Sequence, residues 1–435
     1  MNLLVMKDKL LDMFFDAKRW SVALNKGALK DIDQPVLRHY VSPNGRKELL
    51  LAIISGQYHI ERPHTAKIPK DTPGEFRTVF VNEDKDRIFL SLVNDMLFEI
   101  AGDMVHKNCV SYQKGIGCSK VVKDISRQID TLSGSTHDVI GWKSDLSKYF
   151  DSVPIEYIDG AFDEIERRFG KSKIIDIVRE YYHNDNYYDS ELKCETSKYQ
   201  SLKQGRAVAA WLADVVLFQI DKKLTDLGES YVRYSDDTLY VGKRYEEAMQ
   251  IMVEELGKMN MKLNPKKVEY ITNSKWFKFL GYSIKGSEIS LSAHRIKTFT
   301  KEITDRTIKK IRCGIKFETA LKSVQSWLYY GDGEHSWASG VLKTINVKSD
   351  IDRLNGFVMD CLRAVKVGKS VSMDDIGGLG WMKDKKDGCI HRGKGKKVRT
   401  LINKTGRLDG YYTLWCMRNN LLFGKDLYDT IVRGI

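Results

Sequence analysis

Tyr231-Val-Arg-Tyr234-Ser-Asp236-Asp237-Thr-Leu-Tyr-Val-Gly242 sets two adjacent acids between two runs of β-branched and aromatic residues. Such runs favour strands, and the short polar break between them predicts a hairpin with the acids at its tip. Asp is a favoured turn residue, so a pair of acids in a turn is ordinarily a solvated tip. Here the flanks are apolar on both sides. The hairpin is therefore expected to be buried, and uncompensated charge at its apex calls for a cationic partner. A second strand, VIGWKSDL (139–146), runs into Asp145. Two strands that each run out on a carboxylate can bring their acids side by side. Phosphoryl transfer from a nucleoside triphosphate uses two divalent ions ~3.5–4 Å apart, and Mg²⁺ prefers carboxylate oxygens while keeping positions for water and phosphate. Asp145 and Asp236 are the expected pair.

Outward from this core, helices and strands mix without regular alternation. Residues 1–60 read as helical, with Leu10, Leu11, Phe14 and Phe15 at helical spacing and Pro43-Asn-Gly45 as a turn. HTAKIPKDTPGEFRTVFV (64–81) reads as two strands joined by an Asp71–Gly74 turn. Asp84 is placed to cap a helix striped by Ile88, Phe89, Leu92, Val93, Met96 and Ile100. Helical patterns follow over 155–182, 207–227 and 245–259, a strand pair over 276–291, and mainly helix over 293–365. No internal repeat is visible. The arrangement predicts an α+β fold rather than a doubly wound sheet.

The 435 residues carry 71 Lys+Arg against 58 Asp+Glu, a net charge of +13, which favours a polyanionic partner, most often nucleic acid. With 42% apolar residues the chain is expected to fold, and no apolar run approaches the ~20 residues of a membrane span. Lys7, Asp8 and Lys9 interrupt the apolar start before a signal-peptide core forms. The seven cysteines (109, 118, 194, 313, 361, 389 and 416) include no Cys-x-x-Cys pair, which predicts neither a zinc ribbon nor a disulfide framework and points to a reducing, cytoplasmic setting.

Several motifs together resemble the reverse transcriptases. Tyr234-Ser-Asp236-Asp237 is similar to their Tyr-x-Asp-Asp box, and SDLSKYFDSV (144–153) to their first palm motif, with Phe150 five residues after Asp145. In the family's order come Arg77 in GEFRTVFV, Gln204-Gly205, LNPKK (263–267) and FLGY (279–282). The resemblance spans about 64–285. It implies a right-hand polymerase fold: an N-terminal helical extension (1–60), fingers and palm (61–285), a helical thumb (286–365) and a basic C-terminal extension (366–435).

The resemblance also implies roles. Asp145 and Asp236 would hold two Mg²⁺ ions, replaceable by Mn²⁺, aided by the Leu146 carbonyl and with Asp237 in support. Arg77 would grip the incoming dNTP through its rigid bidentate fork, with Lys67 and Lys70 beside it, although exposed strand lysines look the same. Phe150 would exclude a ribose 2′-hydroxyl; taken alone, it reads first as a core aromatic. Gln204 and Gly205 would lie at the substrate, and Lys266 or Lys267 would protonate the leaving pyrophosphate. Phe279, Leu280, Gly281 and Tyr282 would form the primer grip. Asp151 is read as a helix cap.

Lys203-Gln204-Gly205-Arg206-Ala207 departs from the family's Pro-Gln-Gly followed by Ser-Pro, for both prolines are missing. That departure fits the divergent bacterial enzymes of antiphage defence better than retron or group II intron enzymes, which are the alternative. The implied partners are a structured non-coding RNA template, dNTPs and the cDNA product, with no membrane. An RNA-dependent RNA polymerase and a non-catalytic RNA-binding protein on the same scaffold are more distant readings. From Lys383 to Arg407 there are ten Lys/Arg and two Asp, read either as a solvated face or as an RNA contact. Cys389-Ile-His391 lacks further ligands for a metal, and Tyr411 and Tyr412 read as buried aromatics rather than priming hydroxyls.

Overall fold

The computed structural model describes residues 8–69, 74–113, 115–132, 138–205, 207–330, 337–368, 382–383 and 390–391. The Asp71–Pro73 part of the expected turn, Lys70, Arg206, Cys389, Tyr411, Tyr412 and nearly all of the basic 383–407 run lie outside them. The chain divides into two compact units, one of Met1–Lys114 with Gly141–Glu269, the other of Gly115–Ile140 with Tyr270–Ile435.

The first unit is built on two sheets. β1 (His64–Pro69) and β2 (Phe76–Val81) pair antiparallel, His64 opposite Val81 and Pro69 opposite Phe76. β1 also meets β4 (Asn186–Asp189) in parallel, and β4 pairs with β5 (Cys194–Ser197), giving the order β2-β1-β4-β5. In the other sheet β7 (Asp237–Val241) lies between β6 (Ser230–Tyr234) and β3 (Val139–Asp145), antiparallel to both. β3 can approach β7 closely because Gly141 has no side chain: a Cβ there would lie 2.1 Å from the Tyr240 carbonyl oxygen. One continuous apolar core joins the N-terminal helices, the Asp84–Ile100 helix, the 155–183 helices and the Ala207–Val215 helix.

The second unit holds the three-stranded meander β9 (Phe277–Phe279), β10 (Tyr282–Lys285) and β11 (Glu288–Leu291), while β8 (Glu269–Thr272) straddles the boundary. Helices Cys118–Thr131, Ala293–Arg306, Phe317–Tyr330 and Lys348–Val367 surround it in sequence. Phe299, Trp327 and Trp337 form an aromatic cluster with centroids 4.6–5.7 Å apart. Among the described residues no helix is long and apolar enough to cross a membrane.

Four local expectations change. Pro43-Asn-Gly45 is not a turn but the first turn of helix Pro43–Ile54, because Ser42 caps Gly45 N–H and a proline at the first helical position gives up no hydrogen bond. Asp84 is the first residue of its helix rather than its cap; its carboxylate receives the Asp33 N–H and pairs with Arg87. Asp151 sits inside the short helix Tyr149–Ser152, and Pro154 is the N-cap of helix Ile155–Phe169. The 276–291 segment contains three strands, not two. The β4–β5 hairpin and the Cys118–Thr131 helix are not among the expected elements, although Val121, Val122, Ile125 and Ile129 stand at helical spacing and are buried.

Candidate active site

β3 and β7 run antiparallel with Asp145 opposite Asp237, so the strand register itself brings the two motifs together. The β6–β7 turn holds Ser235 and Asp236 between the paired residues Tyr234 and Asp237. The chain leaving β3 is tied to this turn, Leu146 N–H donating to the Asp236 carbonyl at 3.1 Å. It is tied equally to the LNPKK segment: Asn264 N–H donates to the Asp145 carbonyl at 2.8 Å, and Ser147 N–H to the Lys262 carbonyl at 2.9 Å.

Those backbone bonds place Lys267 Nζ 2.7 Å from Asp145 Oδ2. Lys266 and Lys267 are thereby separated, since Asn264 caps the short turn through Lys266 N–H and only the Lys267 ammonium is paired with the aspartate. Lys143 is a neighbour that motif reading missed: its Nζ lies 3.3 Å from Asp237 Oδ1. Strand alternation contained the signal, because residues 143 and 145 share one face of β3.

Burial raises the Asp236 carboxyl above the usual carboxylate range, the Asp145 charge adds to this, and Lys267 and Arg77 oppose it. Burial also pushes Asp237 up to about 6, against the pull of Lys143. Part-buried carboxylates such as Asp236 and Asp237, whose charged forms burial and neighbouring acids disfavour, are what a hard divalent cation would relieve. Among the described residues no group of three or more His, Cys, Asp or Glu side chains is placed to hold a metal together. If a divalent ion is bound here, Asp145 and Asp236 are the carboxylates that would hold it, with backbone and substrate oxygens filling the other positions.

Two predictions follow from this electrostatics. Metal binding needs ionised carboxylates, and burial with the Asp145 charge holds the Asp236 carboxyl above its usual range, so Mn²⁺ affinity, titrated by electron paramagnetic resonance from pH 5 to 8, is expected to weaken toward the acid end; a flat profile would contradict the site. The stability term has the opposite sign: a carboxyl raised from 3.8 to about 6 favours folding at low pH, and this contribution is lost as pH rises through about 6. Separately, Lys267→Met should raise Mn²⁺ affinity several-fold, since an exposed pair is worth at most about 1 kcal/mol, while Lys266→Met should leave it unchanged.

The remaining site residues are placed unevenly. Arg77 lies on β2 opposite Ile68, and its charge reaches Asp236. Lys67 is paired with Glu191 at 2.5 Å and lies over the Phe76 ring. Phe150 is half-buried, edge-on to Tyr149 at 5.5 Å, and its carbonyl accepts from Leu202 N–H. The Gln204 backbone carbonyl accepts Phe80 N–H of β2 at 2.9 Å, and Gly205 has φ +102°, with a Cβ there falling 3.1 Å from Val79.

The missing proline before Gln204 has a structural reason. Lys203 has φ +50°, which a proline ring locked near −65° cannot adopt. Its buried ammonium donates to the Asn184 carbonyl at 2.6 Å and sits 4.8 Å from the Tyr181 ring centroid. In the second unit, Leu280 and Gly281 both have positive φ and make the two-residue turn between β9 and β10. Tyr282 there lies under the Arg295 guanidinium at 4.4 Å.

Residues 68–284 match the family model described as "Reverse transcriptase (RNA-dependent DNA polymerase)". No curated protein matches the chain. Among solved structures, the apo telomerase from Candida tropicalis truncated from its C-terminal domain is 17% identical, TM-score 0.40, covering 53% of this chain and 55% of that one. The apo telomerase from Candida tropicalis is 13% identical, TM-score 0.42, covering 79% and 64%. A partial Cas6-RT-Cas1–Cas2 complex is 17% identical, TM-score 0.34, covering 59% and 43%. The chain thus spans less than two thirds of each of these relatives.

Proposed function

We propose that this chain, whose residues 68–284 form a reverse transcriptase domain, is an RNA-directed DNA polymerase that copies a structured non-coding RNA into cDNA. The observation behind the reading is the cross-strand pairing of Asp145 with Asp237, which sets Asp236 and Lys267 at the same strand ends. Asp145 and Asp236, with the Leu146 carbonyl, would hold two Mg²⁺ ions, which when bound activate a 3′-hydroxyl and stabilise the leaving pyrophosphate. Asp237, held by Lys143, supports the pair. Arg77 binds the triphosphate through its fork of donors. Lys267, already at the carboxylates, is the better placed of the two lysines to donate a proton to the leaving group.

Phe150 is read as the residue that excludes the ribose 2′-hydroxyl. The test is incorporation on an RNA template with dNTPs against rNTPs. The unaltered chain is expected to take dNTPs, and Phe150→Ala to admit rNTPs at least tenfold better. Preference for rNTPs by the unaltered chain would favour an RNA-dependent RNA polymerase instead.

We place the enzyme in cytoplasmic antiphage defence, copying a cognate RNA. The missing prolines around Gln204-Gly205 support this. Sequencing the nucleic acid co-purified from cells decides against the retron-like and intron-derived alternatives: a branched RNA-linked product would indicate a retron, and an intron copy retrohoming.

A further inference from the structure

The β6–β7 turn has an unusual occupant. Ser235 has φ +56° while Asp236 has no positive φ, the pattern of a hairpin turn whose first central position ordinarily takes glycine. Ser235 is also buried. A non-glycine residue keeps this conformation only where its surroundings over-determine it, and both sides of its backbone are held.

On one side stands Arg233, fully buried on β6. Its Nε and Nη2 bind both oxygens of Asp221 at 2.7 and 2.6 Å, and Nη2 also donates to the Asp214 carbonyl at 2.7 Å. Its Nη1 donates to the carbonyls of Ala213 and Ser235, each at 3.1 Å. All five guanidinium N–H groups are thereby used, one of them on the turn. On the other side, the 108–111 segment runs beside β6, with Arg233 N–H donating to the Asn108 carbonyl and Val110 N–H to that of Arg233. This brings Ser111 to the turn. Its Oγ donates to Asp214 Oδ1 at 2.5 Å, which leaves its lone pairs to accept Ser235 N–H at 2.9 Å.

We infer that Ser111 and Arg233 are positioning residues, clamping the Ser235 backbone by its N–H and its C=O so that Asp236 and Asp237 are held in register with Asp145. The inference rests on reading those aspartates as the reacting site. Asp214 and Asp221 act one step further out, orienting the Ser111 hydroxyl and fixing the guanidinium. Neither Ser111 nor Arg233 touches substrate in this arrangement, so their loss should change turnover and metal binding rather than triphosphate binding.

The test compares Ser111→Ala, Ser111→Thr and Arg233→Lys with the unaltered full-length chain. Ser111→Ala, with a melting temperature close to the parent, is expected to lower kcat for dNTP incorporation ten- to hundredfold, leave KM for dNTP within twofold, and weaken Mn²⁺ binding several-fold by electron paramagnetic resonance. Ser111→Thr, which keeps the hydroxyl, should recover most of both losses. Arg233→Lys, which cannot reach Asp221, Ala213, Asp214 and Ser235 together, should resemble Ser111→Ala. An unchanged kcat, a defect confined to KM, or a folded threonine variant that fails to recover would each overturn the clamp. If the unaltered chain incorporates no nucleotide, the polymerase reading fails on its own. The Mn²⁺ arm then still decides: equal affinity in parent and Ser111→Ala refutes the clamp, and weaker affinity in the variant upholds it.

Discussion

Asp236→Ala is expected to abolish template-directed dNTP incorporation, by about 10³-fold or more, while the protein remains folded. Bound metal supplies several kcal/mol of transition-state stabilisation, and each ~1.4 kcal/mol is tenfold in rate. Asp236 lies at the turn whose carbonyl is bonded to Leu146 N–H, so its carboxylate and that of Asp145 belong to one rigid arrangement. Burial and the neighbouring Asp145 both disfavour its charged form. Removing such a carboxylate relieves a cost, so the melting temperature should hold or rise as activity vanishes. That pairing of outcomes separates a metal ligand from a structural residue. Primer extension with purified protein, alongside a thermal melt, checks it. Retained incorporation by Asp236→Ala would sink the site, and collapse of the fold would show that the acid is structural.

The second large effect concerns stability. Asp221→Ala should destabilise the first unit by about 3–5 kcal/mol, because it strands the Arg233 guanidinium as an uncompensated buried charge. Both side chains are almost fully shielded, at 1% and 0% exposure, and the pair is bidentate. Tyr231 would lose its acceptor as well, since its hydroxyl donates to Asp221 at 2.8 Å. Urea unfolding should show a lower midpoint. Replacing both partners with apolar residues, Arg233→Met with Asp221→Leu, should recover much of the loss, as buried pairs often can be replaced without penalty. Equal destabilisation by the double replacement and by Asp221→Ala would mean that the hydrogen bonds to Ala213, Asp214 and Ser235, not the charge, hold this region.

Much of the site could be read before any fold was known, and the residues show why. The Tyr234–Asp237 turn announces itself because apolar alternation on both sides allows only one hairpin register, and Asp145 terminates a strand of the same character. Arg77 is singled out by the resemblance of GEFRTVFV to the family's motif, not by periodicity. Helix starts are less legible. Pro43-Asn-Gly45 looks like a turn, yet behind Ser42 the same residues make a good helix N-terminus; the choice falls to what the following Leu49 and Ile53 pack against, and both are buried. Lys203 is a similar case. A lysine where the family has proline looks like a loss, until φ +50° and its bond to the Asn184 carbonyl show a different way of holding the same loop.

By itself, then, the amino-acid order determined the strands, the acids at their ends and the chemistry those acids imply, because periodicity and residue type are local properties. It could not separate Lys266 from Lys267, or join Ser111 and Arg233 to the Ser235–Asp236 turn. Those facts depend on strand pairing between segments more than ninety residues apart, as in Ser144 with Thr238, and on backbone bonds such as Asn264 to Asp145. Long-range register decides which side chains meet. It is set by the packing of the whole core rather than by any one stretch of the chain.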